Sequence, residues 1–225
     1  MNDLKEKVVL ITGGSIGIGR ETAYKFAVEK CKVVITYYQH KKEALEVVKK
    51  CYKLGASDVY ITQLDMKKEK DIKRVVKEIV KKFSKIDILV NNAGIVVWKN
   101  FESQTFKEID EQIETNLKGL IKFTKESLPY IKETIINIAS MAGLKGYEEL
   151  TTYCATKFGV RGFTQALAIE LKKIKVYNVN PGTTSTRMTG FTGVHPSKVA
   201  DLIVNICKDK YKLKTGSDFN VRDYV

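Results

Sequence analysis

Val8-Val9-Leu10-Ile11-Thr12-Gly13-Gly14-Ser15-Ile16-Gly17-Ile18-Gly19-Arg20 is the stretch on which the fold turns. Its first four residues are an unbroken apolar run, as in a strand covered on both faces. A glycine-rich turn follows, and Arg20-Glu21-Thr22-Ala23-Tyr24-Lys25-Phe26-Ala27 then continues as a helix. Glycines permit a tight turn and let an anion approach the backbone, and the first-turn amides of the new helix face that anion. The spacing is G-x3-G-x-G, distinct from the commoner G-x-G-x-x-G dinucleotide fingerprint.

The same alternation continues outward from this turn. Val33-Val34-Ile35, Val59-Tyr60-Ile61, Ile86-Asp87-Ile88-Leu89-Val90, Ile135-Ile136-Asn137-Ile138 and Val176-Tyr177-Asn178-Val179 read as further strands, with a last one near Asp218-Phe219-Asn220-Val221. Longer stretches with helical spacing separate them, such as Ile72, Val75, Val76, Ile79, Val80 and Phe83. Strand and helix in strict alternation specify an α/β fold, a doubly wound parallel sheet. No linker, repeat or low-complexity tract interrupts it, so residues 1–225 are expected to form a single domain.

Composition narrows the function. The chain has 225 residues, 44% hydrophobic and 29% charged, with 15 Gly and 3 Pro. That excludes disorder as its main state, and a chain of this size needs no disulfide or metal to hold a core. No apolar run approaches the roughly 18 residues of a membrane span. The polar Met1–Lys7 stretch passes straight into a strand, so no secretory leader is expected. A soluble, cytoplasmic protein is expected. Cys31, Cys51, Cys154 and Cys207 form no C-x-x-C pair, and His40 and His195 lie far apart, which argues against a metal site or a His-based triad. The net charge of +13 comes from Lys dispersed along helical stretches, with only five Arg among 39 basic residues. A solvated surface is expected, with no specific nucleic-acid partner.

Further motifs carry a resemblance. Thr12-Gly13-Gly14-Ser15-Ile16-Gly17-Ile18-Gly19 is followed by Asn91-Asn92-Ala93-Gly94 after the fourth strand, Asn116 in the next helix and Ser140 after the fifth strand. Tyr153-Cys154-Ala155-Thr156-Lys157 comes next, and then Pro181-Gly182 with Thr186 after the sixth strand. In that order the motifs resemble the short-chain dehydrogenase/reductase family from Lys7 to about Val221, with members of the 3-oxoacyl-carrier-protein-reductase type nearest. The resemblance implies a Rossmann-type fold and an NAD(P)-dependent oxidoreductase. It would transfer a hydride between the nicotinamide cofactor and a carbonyl or secondary alcohol.

Tyr-x-x-x-Lys occurs three times, at Tyr37/Lys41, Tyr38/Lys42 and Tyr153/Lys157. Only the last opens a long amphipathic stretch, Phe158 to Leu171, and follows a Ser at a strand's carboxyl end, where ligands of open α/β sheets bind. A phenol titrates near pH 10 and needs help to exchange protons at neutral pH. Lys157, one turn away, is expected to lower the pKa of Tyr153, which would protonate the carbonyl oxygen during reduction. Ser140 would hydrogen-bond the same oxygen. The resemblance implies that Lys157 also holds the nicotinamide ribose and that Asn116 supports a water connecting Lys157 to solvent. Asn116 as a locally bonded helix residue is the alternative.

The cofactor site is expected to comprise Gly13, Ser15, Gly17, Ile18 and Gly19 at the turn, and Thr36, Tyr37 and Tyr38 after the second strand. Asp65 and Met66 would lie at the adenine, Asn91, Asn92, Ala93 and Gly94 along the floor, Tyr153 and Lys157 at the ribose, and Pro181, Gly182 and Thr186 at the nicotinamide. The second strand's end, Thr36-Tyr37-Tyr38-Gln39-His40-Lys41-Lys42, has no acid for a ribose 2′-hydroxyl, which favours NADP over NAD although Ile16 offers no charge. Lys41 and Lys42 are candidate phosphate partners or simply a solvated helix start.

The other expected partner is a small carbonyl or alcohol. A non-catalytic dinucleotide-binding sensor or scaffold is the alternative function. Family resemblance implies a homo-dimer or homo-tetramer through the helices around Phe106–Leu128 and Tyr153–Leu171, with Phe163, Leu167 and Leu171 in either that interface or the monomer core. The segment from Thr189 to His195, with two glycines, reads as a short mobile flap beside an open substrate pocket. Phe191 would either close over a ligand or pack beneath the loop. Trp98 would either touch substrate or, more plainly, pack.

Overall fold

The computed structural model describes residues 2–224. In chain order its main elements are β1 (Val8–Ile11), α1 (Gly17–Val28), β2 (Lys32–Tyr37), α2 (Lys41–Leu54), β3 (Asp58–Gln63), α3 (Glu69–Phe83) and β4 (Ile86–Asn91). These are followed by α4 (Phe106–Ile113), α5 (Leu120–Ser127), β5 (Ile131–Ile138), α6 (Thr151–Glu170), β6 (Lys175–Asn180), α7 (Pro196–Cys207) and β7 (Asp218–Asn220). The strands form one sheet in the order β3-β2-β1-β4-β5-β6-β7, every pair parallel. This is the doubly wound α/β fold, and the expected strands are all present, most of them longer by a residue or more at an end.

The apolar runs are explained by the two layers of helices. Along β1, Val9 and Ile11 join the core under α1, α2 and α7, where Phe26, Val47 and Ile203 pack. Val8 and Leu10 join the opposite core with Ile72, Val75 and Ile79 of α3 and Phe123 of α5. Successive side chains point to opposite faces, so a strand covered on both sides must be apolar throughout. In α3 the charges also suit the helix dipole, with Glu69 and Asp71 in the first turn and Lys81 and Lys82 in the last.

A line of polar side chains crosses this sheet. Asn91 Nδ2 donates to Asn137 Oδ1 at 2.8 Å, Asn137 Nδ2 to Thr164 Oγ1 at 2.8 Å, and Thr164 Oγ1 to Asn178 Oδ1 at 2.8 Å. Asn178 Nδ2 then donates to Asp218 Oδ1 at 3.2 Å. Bonds of this kind offset the cost of burying polar groups, Asn91 Oδ1 alone in this line having no partner, and the chain of bonds ties β4, β5, β6 and β7 together beneath the site. Asn91 is therefore a buried structural residue. The expectation that it lines the cofactor floor is corrected.

The long helix expected around Phe106–Leu128 is interrupted. Thr105 and Glu108 cap α4 reciprocally, but residues 114–119 widen into a π-helical turn before α5 begins. Such turns redirect a side chain out of the regular helical register, and here the turn carries Asn116.

Candidate active site

Because β1 leads to β2 on one side while the chain later returns to β4 on the other, a crevice opens at the strands' carboxyl ends. A cleft of about 770 Å³ lies there. The glycine turn forms one wall and uses each glycine differently. Gly13 and Gly17 have φ of +65° and +56°, a region that penalises a Cβ. A Cβ on Gly19 would lie 2.4 Å from the Gly13 carbonyl oxygen. Gly19 is buried just outside the cleft lining and serves the close packing of α1 on the turn. No side chain caps α1 and no acid stands in its first turn, leaving its leading amides for an anion. These features fit the phosphates of a dinucleotide.

The turn is fastened from both sides. Gly13 N donates to Thr36 Oγ1 at 3.2 Å and Gly14 N to the Thr36 carbonyl at 2.9 Å. Thr12 Oγ1 accepts from Asn92 N and Ala93 N, both at 3.0 Å, while Asn92 Nδ2 donates to the carbonyls of Thr12 and Gly13. Thr12 is a site residue that the glycine spacing alone does not single out. Its signal was its place at the strand end, where a hydroxyl can hold the neighbouring loop.

Gly13, Ser15, Gly17, Ile18, Thr36, Tyr37, Tyr38, Asp65, Met66, Asn92, Ala93, Gly94, Tyr153, Lys157, Pro181, Gly182 and Thr186 all line the cleft. Asp65 turns the chain after β3 by accepting from Lys67 N at 3.0 Å. Thr186 faces the glycine turn so closely that a Cβ on Gly17 would lie 3.2 Å from its methyl group.

At the far end the cleft brings Ser140, Tyr153 and Lys157 together. Tyr153 and Lys157 are one turn apart in the first half of α6. Ser140, beyond β5, accepts from Ala142 N at 3.1 Å, which leaves its hydroxyl proton to donate. The buried Lys157 donates from Nζ to the Ile138 carbonyl at 2.8 Å, and Nζ lies 5.5 Å from the Tyr153 ring centre. Asn116 stands behind the cleft lining. Its amide donates to the Ile95 carbonyl at 2.8 Å and to Thr156 Oγ1 at 3.3 Å, and its Oδ1 accepts from Ile95 N at 2.8 Å. It is thus a long-range tie and not a locally bonded helix residue. A Cβ on Gly94 would come 3.3 Å from Asn116 Oδ1 and 3.7 Å from Lys157 Nζ, so only a small residue fits that floor closely.

The electrostatics depart from expectation. Burial pushes the Tyr153 phenol up to about 12, with the Ser140 hydroxyl pulling the other way. Burial also lowers Lys157 to about 8. The expected depression of the Tyr153 pKa by Lys157 is therefore corrected: desolvation disfavours both charged forms, and the Tyr153 phenol rises. A phenol of this kind is protonated at neutral pH and so carries the proton a carbonyl oxygen would take, and the Ser140 hydroxyl is the group that favours its release.

The expected mobile flap is a bonded knob. Ser185 N donates to the Val194 carbonyl at 2.8 Å and Val194 N to the Thr183 carbonyl at 3.0 Å, closing the segment on itself. Thr189 Oγ1 donates to the Thr184 carbonyl, Thr192 Oγ1 to the Thr189 carbonyl and Ser185 Oγ to the Phe191 carbonyl. Phe191 is 68% exposed and outside the cleft lining, so it neither covers a ligand nor packs under the loop. Trp98 lines the cleft and donates from Nε1 to the Met188 carbonyl at 3.1 Å, spanning the mouth. Lys41 and Lys42 are exposed at the start of α2 and do not line the cleft. Phe163, Leu167 and Leu171 pack in the monomer core.

Among the described residues no group of acids, Cys and His could hold a metal, and no helix is long and apolar enough to cross a membrane.

Comparison with known proteins agrees with this geometry. The family model for short chain dehydrogenases matches residues 7–195. An NADPH-dependent aldehyde reductase of Arabidopsis thaliana chloroplasts is 38% identical over 195 residues, 80% of this chain and 66% of that protein. This chain thus spans just under two thirds of the plant protein's length. An uncharacterized oxidoreductase of Staphylococcus saprophyticus is 33% identical over 197 residues, 84% of this chain and 78% of that one. A short chain dehydrogenase of Burkholderia cenocepacia, solved in complex with NADP, superposes with a TM-score of 0.91 at 27% identity, covering 97% of each chain.

Proposed function

This chain belongs to the short-chain dehydrogenase family, and we propose that it is an NADP(H)-dependent oxidoreductase interconverting an uncharged aldehyde or ketone with its alcohol. One cleft holds both the glycine turn and the group Ser140, Tyr153 and Lys157, and that observation carries the proposal. The reduced nicotinamide, when bound, supplies the hydride. Tyr153, kept protonated by burial, gives its proton to the carbonyl oxygen. Ser140 donates a hydrogen bond to the same oxygen and steadies the charge that develops there. Lys157 holds the ribose hydroxyls with the donors that Ile138 leaves free. Asn116 is a positioning residue that ties Ile95 to the Thr156 turn of α6.

NADP is favoured by the acid-free end of β2. The Arabidopsis protein is named as NADPH-dependent, and the Burkholderia protein was solved in complex with NADP. The cleft lining also includes Val96, Trp98, Met141, Tyr147, Leu150 and Met188, an apolar set that suits an uncharged carbonyl compound. The chain acts as one domain in the cytoplasm and assembles with copies of itself. Exposed Phe158 and Ile169 on one face of α6 support this assembly, with Gly162 open between them.

The test is NADPH consumption against a panel of aldehydes and ketones. Turnover of several uncharged members supports the proposal, whereas tight NADPH binding without turnover of any would make the protein a dinucleotide sensor.

A further inference from the structure

The cation sought at the end of β2 comes from the opposite lip of the cleft. Arg187, beyond β6, donates from Nη2 to Glu43 Oε1 at 3.0 Å, and its Nη1 lies 3.4 Å from His40 Nδ1. Arg187 and His40 both line the cleft, beside Tyr38 and Gln39, while Glu43 stands in the first turn of α2. The backbone carrying Arg187 is held on two sides, by Thr189 within its own turn and by Trp98 on Met188. Its side chain is 52% exposed and so free to change partners without leaving a buried charge.

We propose that Arg187 is a cofactor-specificity residue, reading a phosphate on the 2′ position of the adenosine ribose, and that Glu43 is the anion the guanidinium holds in that phosphate's place. The inference builds on the NADP(H) reading and names the residue that would enforce it. In an NAD site an acid at the end of the second strand accepts from the ribose hydroxyls. Here residues 36–42 contain none, and the first acid beyond them, Glu43, already accepts from Arg187. A guanidinium offers five donors in a planar fork that matches phosphate oxygens. A 2′-phosphate carries more charge than the carboxylate and would draw Arg187 inward from Glu43. A ribose bearing only a hydroxyl offers no comparable attraction. Arg187 should therefore leave NAD(H) nearly untouched.

Calorimetric titration tests this without any turnover, using NADPH, NADH, 2′-AMP and 5′-AMP as ligands of the parent, Arg187→Ala, Arg187→Lys and Glu43→Gln. Arg187→Ala is expected to weaken NADPH and 2′-AMP by about tenfold or more, as loss of a charged hydrogen bond does, and to move NADH and 5′-AMP by less than about threefold. Arg187→Lys should fall between Ala and the parent, since it keeps the charge and loses the fork. Glu43→Gln removes the competing exposed ion pair and should tighten NADPH by about two- to fivefold. Equal weakening of NADPH and NADH by Arg187→Ala would reduce Arg187 to a strap across the cleft and overturn the proposal, as would unchanged NADPH binding. A parent that bound neither dinucleotide would overturn the oxidoreductase reading itself and this inference with it. Unfolding curves matching the parent's confirm that each variant is folded.

Discussion

Replacing Gly19 with alanine adds one carbon where the structure has no room. The new Cβ would lie 2.4 Å from the Gly13 carbonyl oxygen and 2.6 Å from Asn92 Nδ2. Neither atom is free to retreat. The carbonyl belongs to the glycine turn, and the Asn92 amide already donates to it and to the Thr12 carbonyl, each at 3.0 Å. Overpacking of this kind costs about 1–3 kcal/mol. Each of the two hydrogen bonds it displaces adds about 0.5–1.5 kcal/mol. Alanine's better helix propensity returns about 1 kcal/mol. The net loss is about 3 kcal/mol, a fall in Tm of about 6–12 °C for a chain of this length. Gly146→Ala is the control, because Gly146 is exposed, has no positive φ and has nothing within 4 Å of a built Cβ. Its stability should stay within about 0.5 kcal/mol of the parent. Guanidinium unfolding measures both. A Gly19→Ala protein less than about 1 kcal/mol below the parent would refute the claim that this turn is locked against α1.

Tyr153→Phe should lower turnover by about 10²- to 10⁴-fold while leaving the Kd for NADPH unchanged, as steady-state kinetics and titration would show. Burial lowers the pKa of Lys157 from 10.5 to about 8, so the unfolded chain holds that proton more tightly. The Lys157 contribution to stability, read as the parent minus Lys157→Met, should therefore rise with pH from about 8 to 10.5. The buried thiols Cys31, Cys51 and Cys207, pushed up by burial, lower the stability of both proteins above about pH 9. The slope of the difference is about 1 kcal/mol per pH unit in urea unfolding across that window; the raised pKa of Tyr153 acts only above pH 10. Thr189→Val removes the hydroxyl that bonds the Thr184 carbonyl and should loosen the knob, seen as faster hydrogen exchange at residues 184–194 with global stability little changed. Ile169→Glu, at a position 73% exposed on α6, should convert the expected dimer or tetramer to monomer by light scattering.

The fold was legible because strands buried on both faces leave an unmistakable mark. Val8-Val9-Leu10-Ile11 is apolar at every position since alternate residues enter two different cores. Tyr153 and Lys157 were separable from two other Tyr-x-x-x-Lys pairs by position alone, after a strand end and inside a long helix. What stayed hidden depends on long-range packing. The Arg187–Glu43 pair joins residues 144 apart, and the periodicity of either segment carries no trace of the other. The π turn at Asn116 was unreadable because a one-residue widening leaves helical spacing almost intact. Burial of Tyr153 and Lys157 together, and with it the raised phenol pKa, follows from the depth of the cleft. The flap was misread for a local reason. Gly190 and Gly193 suggested mobility, yet Thr184, Thr186, Thr189 and Thr192 stand among them, and their hydroxyls and amides bond neighbouring backbone and side chains.

Hydride transfer itself is the most direct test of the central claim. The protein would be incubated with NADPH deuterated at C4 of the nicotinamide, each stereoisomer in turn, and with a mixture of uncharged aldehydes and ketones. The alcohols formed would be analysed by mass spectrometry. The expected result is one deuterium on the carbinol carbon with one of the two stereoisomers, and labelled alcohol formed about 10²-fold or more slowly by Tyr153→Phe. Unlabelled alcohol with both stereoisomers, or equal labelling by the parent and Tyr153→Phe, would contradict the account.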